Sequence, residues 1–140
     1  MVVVLLSDVS LALQVLVLAF LVCGIGLKRL GKLRLHASAM LGAVVLHLLT
    51  VLAVMVPSFD SFFFSGPVDF GDIYVPVTLV HVSAGAVAAL LGLWLVAAWR
   101  FRADVQGCFA RKKYMLAALG LWLFAIAVGV VLFLRISQVI

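Results

Sequence analysis

Four side chains of this sequence have types and spacings suited to binding a metal or moving a proton: His36, Met40, His47 and His81. The first three lie in one apolar stretch, HASAMLGAVVLHLLTVLAVMV, residues 36–56. On a helix turning about 100° per residue they fall in a strip roughly 40° wide, beside Ala43 and Thr50. His36 and His47 are roughly 16 Å apart along such an axis, so they cannot share one ion. If both act, they serve two levels of the same helix. Polar side chains inside an apolar span are costly, which makes each a functional-site hypothesis.

The elements that carry these residues are membrane spans. Hydrophobic residues make up 68% of the 140-residue chain and charged ones 11%, a balance foreign to soluble domains. Residues 9–27, 35–59, 73–99 and 114–134 contain no Asp, Glu, Lys or Arg. A bilayer takes about 20 apolar residues to cross. The sequence therefore predicts helices at about 9–27, 35–56, 73–99 and 114–134, an all-α polytopic membrane four-helix bundle in one domain. The first stretch has no basic residues before it, so it reads as a span and not as a cleavable signal. Pro57 is expected to end the second helix, and PSFDSFFFSGPVDFGD to lie as a loop on the membrane surface.

Charge orients the spans. Lys28, Arg29, Lys32 and Arg34 fall in the first loop, and Arg100, Arg102, Arg111, Lys112 and Lys113 in the third. Asp8, Asp60, Asp69 and Asp72 fall on the opposite side with Arg135. The positive-inside rule puts both loops in the cytoplasm and both termini outside, in a multi-pass protein of the cell membrane. The net charge of +5 then follows from topology and attraction to lipid headgroups, and nothing calls for nucleic acid. Cys23 and Cys108 both fall toward the cytoplasm, where no disulfide is expected.

Depth suggests a pairing. His47 lies roughly 13 Å below the outer end of the second helix, and His81 roughly 12 Å below that of the third. Two imidazoles at one level, on different helices, can flank one iron as in a b-type haem, and this is favoured over a hydrogen-bonded core pair. Gly85, Ala88 and Gly92 share the His81 face and would leave room for the macrocycle. Helix packing explains the same small residues without a ligand. Thr50 and Thr78 stand one turn outward of the histidines, where they can support an imidazole N–H or a propionate. Arg135 is the one outer basic residue and would suit a propionate. His36 with Met40, or with Met115, has the donors for copper or a second haem, although a lone interfacial histidine explains His36 as well. Zinc lacks a third ligand at the His47 level. No sequence pattern for hydrolysis or phosphoryl transfer is present.

With His36-x3-Met40, His47, His81 and a basic loop before the last helix, residues 27–134 resemble the four-helix membrane domain-of-unknown-function family 420. That resemblance implies a setting near haem–copper oxidases. The family pattern often has a further histidine just before the last helix, where this chain has Arg111-Lys112-Lys113-Tyr114. The arrangement is also broadly similar to b-type cytochrome bundles and haem A synthase. The expectation is a haem b electron carrier working with quinol or an oxidase. The alternatives are an oxidase assembly factor handling haem or copper, and a cofactor-free structural subunit.

Overall fold

The computed structural model describes residues 2–64, 67–99 and 105–136. All the regular structure in them is helical. Helix α1 runs Val2–Arg29 and α2 Leu33–Thr50; a π-helical turn, Val51–Met55, leads into α3, Val56–Phe64. Helix α4 is Tyr74–Trp99, the short α5 Val105–Ala110, and α6 Lys112–Ile136. Four spans are long and apolar enough to cross a membrane: Asp8–Arg29, Leu33–Phe64, Tyr74–Trp99 and Lys112–Arg135. Leu16, Leu52, Leu90 and Leu116 are among the large apolar side chains exposed on their outer surfaces. A lipid solvent accepts such a surface and water does not.

The chain turns from α1 to α2 in four residues or fewer. Gly31 takes a left-handed conformation at φ 72°. The Lys32 amide donates to the Leu27 carbonyl at 2.9 Å and the Gly31 amide to that of Lys28 at 3.1 Å. This pair of bonds is a Schellman motif, which closes a helix where a residue tolerates positive φ. Helix α4 starts on Asp72, whose carboxylate accepts the Tyr74 amide at 3.0 Å. Pro76 sits in its first turn, as the sequence suggests.

Pro57 does not end the second span. The helix passes through it to Phe64. A proline in an α-helix lacks an N–H and its ring strikes the carbonyl four residues back. The π turn before it opens the helix: the Val56 amide donates to Val51, five residues back. Ser58 donates its hydroxyl to the Val54 carbonyl at 2.7 Å, supplying a partner close to where the proline removes one. The rod Leu33–Phe64 of 32 residues is about 48 Å long against a hydrocarbon core of about 30 Å. The end of this rod carries the packed rings of Phe59, Phe62 and Phe63. Residues 57–64 are thus helix and not loop, and α5 likewise occupies part of the expected basic loop.

Packing is uneven. Contacts concentrate between α1 and α2 and between α4 and α6, and are sparse from one hairpin to the other. Gly24 and Gly42 bring the first hairpin close: the Met40 methyl fills the place of a Gly24 side chain, and Phe20 covers Gly42. In lipid such close approach, more than apolar burial, drives helix association. Val17, Leu21, Ala43, Val44, Ala88 and Trp122 form a core cluster drawing on all four spans.

Candidate cofactor site

Two histidines bind within the hairpins. His36 Nδ1 on α2 lies 2.7 Å from the Gly24 carbonyl of α1. His81 Nδ1 on α4 lies 2.9 Å from the Ala125 carbonyl of α6. A carbonyl only accepts, so Nδ1 carries the proton in both rings. Each neutral imidazole is then left with a lone pair on Nε2, the arrangement that second-shell bonds impose on metal-binding histidines.

His47 differs from both. It is buried between the hairpins, at 2% exposure, and neither ring nitrogen has a hydrogen-bond partner. A Gly85 backbone group approaches the ring as a weak partner, outside the geometry of a full hydrogen bond, and His81 is within its electrostatic reach. Trp122 of α6 meets it edge to face, with centroids 5.2 Å apart at 77°. The Trp122 indole N–H and the Gln14 amide nitrogen are also buried without partners. Gln14 stands ten residues before Gly24, and His47 eleven after His36, so both lie about 15–16 Å along their helices from the Gly24–His36 bond. Three helices thus contribute unpartnered polar atoms to the interior between the hairpins. Each costs about 1–3 kcal/mol when left unmet. A cofactor or a bound polar group at this level would meet that need.

Gly85 adds space to the same region. It is buried, yet a Cβ added there would meet nothing within 4 Å. Gly92 is filled: its Cβ would stand 3.0 Å from Val44 and 3.2 Å from Trp122. The α4 face is therefore open at Gly85 and filled at Gly92, while the His81 ring packs on Ala125 and Gly129 of α6. The histidines are offset, since His47 meets α6 at Trp122 while His81 meets it at Ala125 and Gly129. Those positions lie three and seven residues further out, about 5–10 Å.

The remaining predicted residues are engaged locally. Thr50 and Thr78 donate to their own helices, at Leu46 (2.9 Å) and Tyr74 (2.8 Å). Their lone pairs stay free to accept. The Arg135 guanidinium stacks over the Tyr74 ring, 5.1 Å from its centroid. It lies six residues beyond Gly129, about 9 Å outward of the His81 ring. No group of three or more His, Cys, Asp or Glu positioned for a metal ion occurs among the described residues. His36, Met40 and Met115 border a separate cavity of about 360 Å³ on the basic side of Trp122.

Neither Trp122 nor Gln14 stands among the site residues expected from sequence. Gln14 carried a signal, as the one strongly polar interior residue of its span. Trp122 carried none, because a tryptophan in an apolar helix is ordinary packing until its neighbours are known. No family model matches the chain, and no curated protein or solved structure matches it either.

Proposed function

We propose that this chain is an integral membrane haem b protein, with His47 and His81 as axial ligands, that carries single electrons. The observation behind this reading is His47: a buried imidazole whose ring nitrogens make no full hydrogen bond, with only a weak approach from the Gly85 backbone. In lipid no water reaches such a ring to satisfy it. His81 complements it, with Nδ1 anchored on Ala125 and Nε2 left for iron. A Cβ at Gly85, one helical turn from His81, would have no neighbour within 4 Å, which leaves room on this face for a cofactor. Haem supplies the redox couple, while the chain holds the two nitrogens and excludes water. Quinol or a haem–copper oxidase is the partner this reading favours, on the resemblance to family 420. The test is a reduced-minus-oxidised absorption spectrum of the purified protein, in which a b-type haem signal is expected.

A cofactor-free structural subunit is the second reading. The edge-to-face His47–Trp122 contact and the His81–Ala125 bond favour it, because both fix helices without a ligand. The absence of any haem signal would select it.

Both termini are proposed to face outward and the basic loops the cytoplasm of the cell. In a chain whose Cys23 and Cys108 are replaced by Ala, an introduced Cys at Ser61 should react with an impermeant reagent. One at Lys32 should not, and the reverse pattern would invert the topology.

A further inference from the structure

The interior holds a second feature that the haem reading does not use. Between the hairpins, on the basic side of Trp122, lies the cavity of about 360 Å³. Its walls are almost wholly apolar: Leu21, Val44, Leu95, Leu119 and the flexible thioethers of Met40 and Met115. Lys28 and Arg29 of α1 and Lys112 of α6 also line it. These cations come from different hairpins and stand at the ends of their spans. No carboxylate among the described residues shares that end of the molecule.

We propose that this cavity takes an acyl chain of an anionic phospholipid, with the phosphate on Lys28, Arg29 and Lys112. The lipid comes from the leaflet that faces the basic loops. Charge decides against a metal cation, which three like charges would repel despite the soft sulfur donors nearby. Shape and polarity suit a hydrocarbon chain, and methionine walls adapt to a mobile one. Basic pockets between spans on this side of a membrane are headgroup sites by the same physics. The lipid also has a structural effect. Contacts between the hairpins are sparse, and the cations lining the cavity come from both hairpins. An acyl chain fills the gap while its phosphate bridges the two helices. The proposal stands apart from the haem reading.

The experiment uses the full chain, purified, delipidated and titrated with phosphatidylglycerol or phosphatidylcholine of matched acyl chains. Native mass spectrometry reads bound lipid and a thermal scan reads stability. Retention of phosphatidylglycerol over phosphatidylcholine, with a higher melting temperature, is expected. Each of K28Q, R29Q and K112Q should lower phosphatidylglycerol retention about fivefold, one surface charge's worth. Ala118→Leu and the milder Leu95→Phe fill the cavity and leave the cations in place; both should release the lipid. Glycerol phosphate, the headgroup without chains, should not raise the melting temperature. Equal retention of the two lipids would overturn the proposal. So would undiminished retention in Leu95→Phe, which would mean adsorption at the surface. A spectral component lost in His36→Ala and excluded by added lipid would give the cavity to a macrocycle instead.

Discussion

The His47 and Trp122 rings meet edge to face with centroids 5.2 Å apart, and neither makes a hydrogen bond through its ring nitrogens. Polar atoms so placed would ordinarily pair or reach water. Trp122 also lines the cavity beside His36 and Met115, so the contact stands at the end of that cavity away from the basic loops.

The two buried glycines of α4 should respond differently to substitution. Gly92→Leu must displace Val44 and Trp122, 3.0 and 3.2 Å from its Cβ. Overpacking of this kind costs about 1–3 kcal/mol and should lower thermal stability with or without cofactor. At Gly85 a Cβ would meet nothing within 4 Å, so Gly85→Leu should lower the apoprotein's melting temperature less than Gly92→Leu does. It should instead lower haem occupancy. Paired melting curves and haem-to-protein ratios check both, and equal destabilisation by the two would contradict the open space at Gly85.

His36 is expected to act as a tie and not as a ligand of the main haem. His36→Ala removes the 2.7 Å bond to Gly24. Interhelical bonds in membranes contribute about 0.6 kcal/mol on average. The variant should unfold slightly earlier in a denaturant titration while its main haem spectrum stays unchanged. Loss of that haem would bring His36 into the site.

Pro57 should be the cause of the π turn at Val51–Met55. Pro57→Ala restores an amide and removes the ring, so the stretch should relax to α-helix. Hydrogen exchange of the amides at 51–57 should then slow. Faster exchange would show that the turn depends on something other than the proline.

Much of the fold was legible because its strongest determinant is one-dimensional. Charge-free stretches of sufficient length become spans whatever their partners, and the His36–Met40–Ala43–His47–Thr50 strip turned inward as its spacing implied. The path beyond Pro57 was not legible. A π turn depends on backbone adjustments and hydroxyl bonds, such as Ser58 to Val54, that no local rule foretells. At the site, the faces of α2 and α4 were readable from helical periodicity. The offset of His81 from His47, the occupation of Gly92 and the stacking of Arg135 on Tyr74 depend on how four helices slide against one another. Sequence spacing within each helix carries no information about that.

The central claim is that His47 and His81 bind one iron, and the most direct measurement is the absorption and electron-paramagnetic spectrum of parent, His47→Ala and His81→Ala proteins. The parent should show a low-spin, six-coordinate haem that does not bind carbon monoxide. Each variant should lose haem, or keep it high-spin and open to carbon monoxide. A normal low-spin spectrum in either variant, or no haem in the parent after expression with adequate haem supply, would contradict the claim.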